Sequence, residues 1–122
     1  MENKLLILLI SLFTFGFTSA AGIMKKEGLT EKEQKIVMIS AFTAGGNLEK
    51  LNKALNEGLD AGLTVNEIKE VLVHLYAYSG FPRSLNGLAT FMEVLKDREA
   101  RGIKDQAGKN STPIPKDRDS VK

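Results

Sequence analysis

The chain has 122 residues, with 17 Lys and Arg against 15 Asp and Glu, one His and no Cys. This nearly equal number of positive and negative charges excludes a strongly basic nucleic-acid binder. The lack of Cys excludes disulfides, thiol nucleophiles and Cys-ligated zinc. With 43% hydrophobic residues and a single His, the sequence predicts one small globular domain without a multi-His metal site.

The first twenty residues have the pattern of a secretory signal peptide. A short charged start with Lys4 precedes an apolar run from Leu5 to Phe17, and small residues follow around Ala20. The apolar run is shorter than the roughly 20 residues of a membrane-spanning helix. We therefore predict that residues 1–20 are removed, that the mature protein is periplasmic or secreted, and that it has no membrane contact after cleavage. A retained N-terminal anchor is the alternative.

The first predicted helix begins after Thr30 and runs to about Ala44. Thr30 and Glu33 have the spacing of a capping box, which satisfies two otherwise unpaired amides at a helix start. The helix is apolar nearly all round, so we expect it to be buried. The pair Gly45-Gly46 then ends it.

The second predicted helix begins at Asn47, a favourable N-cap residue. Gly62 stands where a helix end favours a left-handed residue. The apolar face of this helix consists of leucines spaced three and four residues apart, namely Leu48, Leu51, Leu55 and Leu59.

The third predicted helix begins at a second capping box, formed by Thr64 and Glu67, and ends near Gly80. Val73 and Ala77 fall roughly opposite its core face, so we infer a subunit contact there. The core face itself consists of Ile68, Val71, Leu72, Leu75 and Ser79.

The fourth predicted helix has Pro82 in its first turn and fades by Gly102. Its apolar stripe is Leu85, Leu88, Ala89, Met92 and Leu95. Residues 104–122 are polar and contain two prolines, which is typical of a flexible tail or linker. The sequence therefore predicts an all-α bundle of about four helices.

The third helix carries a group of polar side chains that suits acid–base chemistry. Glu70, His74 and Tyr78 are successive i, i+4 neighbours. Glu70 can orient the imidazole of His74, which then has a nitrogen free for proton transfer, and Tyr78 can donate to a developing oxyanion. Arg83 can bind a substrate carboxylate bidentately. Phe81 lies between Tyr78 and Arg83 in the sequence, and we assign it to substrate binding.

Each of these residues also has a structural interpretation. A single His at a helix edge is more often a hydrogen-bonded structural residue than a catalyst. Glu70 suits a solvated helix surface, Tyr78 and Phe81 suit a core or an interface, and Arg83 suits the exposed start of a helix. Sequence alone leaves both interpretations open.

The run from Leu59 to Pro82 resembles the carboxymuconolactone decarboxylase family. Gly62-Leu63-Thr64 opens a stretch that matches GLT-x-x-E-I-x-E-V, and H-x-x-x-Y-x-G-x-P follows from His74 to Pro82. The resemblance extends from about residue 29 to the end of the fourth helix, and we assign residues 29–103 to this domain. It implies the AhpD-like all-α fold, assembly into trimers or hexamers, and active sites near subunit contacts.

The family has two branches, and the residues at three positions separate them. The branch similar to the alkylhydroperoxidase AhpD uses a CxxC motif and a His, which correspond here to Asn47, Lys50 and Ala54. A thiol peroxidase mechanism is therefore excluded. The other branch resembles the decarboxylase, which removes CO2 from a carboxylated lactone without a metal or an organic cofactor. Its members often carry a second-helix His, which falls at Ala54.

Two functions follow from this resemblance. The first is a cofactor-independent lyase that acts on a small carboxylated lactone or a related acid, with His74 as acid–base group, Glu70 as its orienting residue, Tyr78 as donor and Arg83 as carboxylate clamp. The second is a non-catalytic helical oligomer that binds a small ligand or a partner domain. The lyase requires that Glu70, His74, Tyr78 and Arg83 converge on one apolar pocket, whereas the non-catalytic oligomer does not.

Overall fold

A computed structural model describes residues 28–114, and residues 31–114 belong to one compact unit. Within the described range the chain is helical and contains no β-strand, which confirms the predicted all-α class. The predicted signal peptide and residues 115–122 of the predicted tail lie outside the described residues. The helices are α1 (Glu31–Gly45), α2 (Leu48–Asp60), α3 (Val65–His74), the single turn α4 (Tyr76–Ser79) and α5 (Phe81–Ala100).

The core is built around α2, which packs against both α1 and α5. Leu51 and Leu55 are fully buried, and Leu59 is nearly so, which confirms the predicted face of α2 except at Leu48. Ile68 and Leu72 bring α3 into the same cluster, as its periodicity predicts. None of the helices in residues 28–114 combines the length and the apolar character needed to cross a bilayer.

The predicted caps of α2 and α3 are confirmed. Asn47 Oδ1 accepts a hydrogen bond from Lys50 N at 3.0 Å. Thr64 Oγ1 accepts from Glu67 N at 3.2 Å, and Glu67 Oε2 accepts from Thr64 N at 2.7 Å. Gly62, just before α3, has φ +95°, as its predicted helix-ending role requires. These local bonds set the first residue of α3 and hence the positions of Glu70 and His74 along it.

The predicted third helix is interrupted near its end. Regular α3 stops at His74, Leu75 adopts φ −61° and ψ −17°, and the chain resumes as α4. The break leaves the turn spacing intact, because Ser79 N still donates to Leu75 O at 2.8 Å. Tyr78 therefore remains one turn beyond His74.

The expectation that α1 is buried is met along one side of the helix only. Ile39 and Thr43 are its buried residues, whereas Val37 is 41% exposed. The helix packs against α2, α3 and α5 along one side, and Val37 and Ala41 on the opposite side are exposed.

The predicted apolar stripe of α5 is confirmed only at Leu88 and Leu95, which pack against the core, because the helix turns a neighbouring face inward. Leu85 and Met92 are exposed, whereas Ser84, Gly87 and Phe91 are buried. The small residues explain the choice, because they allow the backbone of α5 to approach its neighbours closely. The Ser84 hydroxyl donates to the carbonyl of Leu72 at 2.8 Å, which joins α5 to α3.

Residues 105–112, here called the strap, lie along the start of α3. The N–H groups of Val65 and Asn66 donate to the carbonyls of Gln106 and Ala107, both at 2.9 Å. Since the first N–H groups of a helix have no partner within it, the strap completes the cap of α3. The sequence analysis assigned these residues to a flexible tail; the bonds join them to the domain.

Candidate functional site

An open cleft of about 380 Å³ lies between α1 and α3. Its walls are part apolar, from Ile36, Val71 and Leu75, and part polar. The polar wall consists of Ser40, Glu70 and His74. The cleft thus brings together two of the predicted site residues, Glu70 and His74, beside an apolar surface.

His74 is the last residue of α3, and its side chain is exposed. The centroid of its ring lies 5.4 Å from that of Tyr78, with an angle of 44° between the ring planes. No hydrogen bond or ion pair occupies the imidazole nitrogens within the part of the chain that is described. Both nitrogens are therefore open to a bound molecule. Tyr78 is 77% exposed, and its ring covers one side of His74 without lining the cleft.

Glu70 lies one turn before His74 and is also exposed. The two side chains are not paired in the region spanning residues 28–114, although i, i+4 neighbours on a helix have Cβ atoms only about 5–6 Å apart. The neighbouring Glu67 differs, because its carboxylate belongs to the cap. The hydrogen bond from the backbone N–H of Thr64 lowers the pKa of Glu67 below its ordinary value. Of the two carboxylates, Glu70 is the one available to orient the imidazole.

Arg83 and Phe81 lie outside the lining of this cleft. The Arg83 guanidinium covers Gly46 at the turn between α1 and α2, where an added Cβ would overlap it. Phe81 is 58% exposed, and its ring packs edge-on against Tyr76 at a centroid distance of 5.9 Å. The structure therefore brings His74, Glu70 and Tyr78 together and leaves Arg83 and Phe81 apart from the cleft.

The electrostatics of the cleft follow from these placements. Its lining contains one carboxylate, Glu70, and neither Lys nor Arg. The imidazole of His74 is thus the group in the lining that can carry a positive charge. A bound anion would meet its compensating charge at His74.

Ser40 and Ile36 of α1 are cleft residues that the sequence analysis missed. They are i, i+4 neighbours and form the wall opposite α3. The Ser40 hydroxyl has no hydrogen-bond partner among the described residues, so it can donate to a ligand. The available sequence signal was their one-turn spacing, but which face of α1 meets α3 depends on contacts between distant residues.

The three positions that distinguish the redox branch have structural roles in this chain. Asn47 caps α2, and Lys50 Nζ lies 6.0 Å from the centroid of the Phe42 ring. Ala54 is 1% exposed and belongs to the core. Within residues 28–114, no group of three or more His, Cys, Asp or Glu side chains has the arrangement of a metal site.

Comparison with known proteins shows which family and which proteins this chain is similar to. The model of the carboxymuconolactone decarboxylase family matches residues 13–93. A 4-carboxymuconolactone decarboxylase of Acinetobacter baylyi is 30% identical over 75 residues, which is 62% of this chain and 56% of the relative. An uncharacterized protein of Methanocaldococcus jannaschii is 26% identical over 70 residues, which is 57% of this chain and 65% of that protein.

The chain therefore spans less than two thirds of the length of these curated relatives. The family match nevertheless includes more than half of the chain and all of α1 to α4. The matched residues include both Glu70 and His74 of the cleft. The protein belongs to the carboxymuconolactone decarboxylase family.

Proposed function

We propose that this protein is a cofactor-independent lyase that removes CO2 from a small carboxylated lactone or a related acid. The observation that carries the proposal is that His74 and Glu70 line one cleft together with an apolar wall. An acid–base group beside an apolar surface suits a small conjugated acid, whose ring packs on the wall while its reacting carbon faces the imidazole.

The reaction needs one proton donor at carbon and stabilisation of one transient anion. As the bond to the carboxylate breaks, its electron pair enters the conjugated lactone to give a dienolate, and CO2 leaves. The imidazolium of His74 then donates its proton to the ring carbon, and water returns a proton to the imidazole. Glu70 orients the imidazole, and the Ser40 hydroxyl donates to the dienolate oxygen. The donor role of Tyr78 stays a prediction, because its ring lies beside His74 but outside the cleft lining.

The absence of Lys and Arg from the cleft lining is compatible with this chemistry. A fixed cation on the departing carboxylate would stabilise the bound substrate more than the transition state, because the carboxylate leaves as neutral CO2. A cationic His74 beside the dienolate instead gains interaction as the charge moves into the ring. The clamp role of Arg83 stays a prediction, and it requires the guanidinium to leave Gly46.

The N-terminal sequence supports a periplasmic or secreted location for this activity, and the exposed apolar residues support a homo-oligomer. Val73 and Tyr76 are 48% and 57% exposed, and Phe81, Leu85 and Met92 share one side of α5. A patch of this kind is typical of a protein–protein interface. It also favours the second candidate, a non-catalytic oligomer that uses the cleft to bind a ligand or a partner domain.

The proposal is tested by following carboxymuconolactone and its decarboxylated product by NMR. The wild-type protein is compared with His74→Ala and with Lys69→Ala, an exposed neighbour on the same helix. We expect turnover in the wild type and in Lys69→Ala, its loss in His74→Ala, and partial recovery of that variant by added imidazole. Turnover that survives in His74→Ala would contradict the assigned site. No turnover by the wild type would favour the binding role.

A further inference from the structure

The strap forms one wall of a second, larger groove beside the cleft. This groove has a volume of about 730 Å³ and lies between residues 108–112 and the first two turns of α3. It shares Ile36, Glu70 and Val71 with the cleft that contains His74. The cleft and the groove therefore adjoin along these three residues.

The strap is fixed at both ends of the segment that faces α3. At its start, Asp105 binds the guanidinium of Arg98 through two hydrogen bonds of 2.9 Å. Near its other end, the Asn66 amide donates to Asn110 Oδ1 at 3.2 Å. Gly108 has φ +79° between these points and packs so closely on Thr64 that an added Cβ would overlap that side chain. The wall of the groove is thus part of the folded domain.

The chemistry of the groove differs from that of the cleft. Its floor is apolar at Ile36 and Val71. Ser111 and Thr112 also line it, and their side chains have no protein partner in the described part of the chain. The charges left after capping are Glu70 and Lys109, which have opposite signs. Such a lining suits an uncharged molecule with an apolar body and a hydroxyl or carbonyl group.

We propose that the strap is the distal wall of the substrate site, and that the groove beneath it binds the uncharged, hydroxyl- or carbonyl-bearing end of an elongated acid whose carboxyl end lies at His74. This inference rests on the proposed function of the cleft and names its substrate class. The cleft alone is near the lower limit of about 300–1,000 Å³ for small-molecule pockets, whereas cleft and groove together accept a ligand of two rings.

The test compares a short and a long acid, 4-hydroxybenzoate and 4′-hydroxybiphenyl-4-carboxylate. His74 is the one His of the sequence, so its imidazole proton gives an unambiguous NMR signal from which both dissociation constants are measured. The informative variant is Gly108→Ala, which displaces the strap from Thr64. Its matched control is Gly102→Ala, because Gly102 also has φ +79° but nothing lies within 4 Å of an added Cβ.

We expect the wild type to bind the long acid at least fivefold more tightly than the short one. Gly108→Ala should weaken the binding of the long acid at least fivefold and that of the short acid less than twofold, while Gly102→Ala should change neither affinity. Asn110→Ala, which removes the bond to Asn66 without backbone strain, should act in the same direction and replaces Gly108→Ala if that variant does not fold.

The outcomes separate this inference from the proposed function. Equal binding of the two acids, or equal loss of both in Gly108→Ala, would overturn the role of the strap and leave the lyase proposal standing. If the protein binds the long acid more tightly than the short one but never releases CO2, the lyase proposal is overturned and the proposed role of the groove is supported. If neither acid shifts the His74 signal of the wild type, the groove proposal is overturned directly.

Discussion

The guanidinium of Arg98, at the end of α5, binds the carboxylate of Asp105 through two parallel hydrogen bonds of 2.9 Å. Asp60 at the end of α2 adds a third contact, 2.9 Å from Arg98 Nη2. Arg98 is only 4% exposed, and the hydrogen bonds that its guanidinium donates to Asp105 and Asp60 raise the pKa of Arg98 above the ordinary value. A buried, permanently charged side chain therefore joins two helices and the strap.

Removing Arg98 should destabilise the fold. Arg98→Ala leaves the Asp105 carboxylate, whose side chain is 11% exposed, without its counter-charge. Breaking a buried pair in this way costs about 3–5 kcal/mol. Because Asp60 is partly exposed, we expect the free energy of unfolding to fall by about 3 kcal/mol, at the lower end of this range. Urea unfolding measures this change.

Arg101→Ala is the matched control for that experiment. Arg101 pairs with Asp97 at 3.1 Å on the same helix, but both side chains are more than half exposed. Exposed pairs of this type contribute about 0–1 kcal/mol, so the control should differ little from the wild type. Similar losses in the two variants would show that burial gives Arg98 no special role.

Gly87 should resist replacement because α5 meets two neighbours there. An added Cβ would lie 3.0 Å from both Leu72 Cδ2 and Thr43 Cγ2. Ala gains about 1 kcal/mol over Gly in helix propensity, but overpacking of a core costs about 1–3 kcal/mol. We expect Gly87→Ala to lower the thermal midpoint by several degrees.

Gly45→Ala separates these two effects. Gly45 is the last residue of α1, and nothing lies within 4 Å of an added Cβ. Its replacement should leave the thermal midpoint unchanged or raise it slightly. If Gly87→Ala were also stabilising, the close approach between α5 and its neighbours would be looser than the structure indicates.

The fold should lose stability in acid through two carboxylates. Lys35 Nζ donates to Glu57 at 2.7 Å and lowers the pKa of Glu57 below 4.5, and the cap lowers the pKa of Glu67 in the same direction. A carboxylate whose pKa is lowered in the folded state stabilises the fold at pH values above its ordinary pKa. This contribution is lost as the pH falls through the lowered pKa. Unfolding free energy should therefore decline below about pH 4.5.

Glu57→Gln tests the origin of this acid sensitivity. The variant keeps the shape of the side chain and removes its titration, so it should be less stable than the wild type at neutral pH and decline less steeply in acid. Glu49→Gln, at an exposed position in the first turn of the same helix, is the control and should leave the slope unchanged. Parallel curves for wild type and Glu57→Gln would exclude Glu57 as a source.

What the sequence predicted well is what depends on near neighbours. The caps at Asn47 and Thr64, the end at Gly62 and the one-turn spacing of His74 and Tyr78 all rest on residues within four positions of one another. The inward face of α5 was predicted only in part. Leu88 and Leu95 pack against the core, but the close approach at Gly87 leaves Leu85 and Met92 exposed.

The cleft shows the same limit of local patterns. The third helix indicated that Glu70 and His74 share a stripe, and the structure places both in one cleft. The opposite wall, from Ser40, and the strap that extends the cleft come from residues more than 25 positions away. No spacing rule joins such residues, since their proximity follows from how the helices pack.

The contact between His74 and Tyr78 yields a prediction about the chemistry of the site. If the Tyr78 hydroxyl donates to the dienolate, Tyr78→Phe keeps the ring beside His74 and removes one donor. We expect kcat for CO2 release to fall roughly ten- to hundredfold with KM little changed, because such a donor acts mainly in the transition state. Steady-state kinetics measures both constants.

The chain offers a close control for this measurement, because Tyr76 is the other of its two Tyr residues. Tyr76 packs on Phe81 rather than on His74, so Tyr76→Phe should leave kcat within about twofold of the wild type. Equal effects in the two variants would point to the surface formed by α4 and α5 rather than to the hydroxyl of Tyr78. A rise in KM confined to Tyr78→Phe would instead place that hydroxyl in substrate binding, because an interaction equally strong in both states changes KM alone.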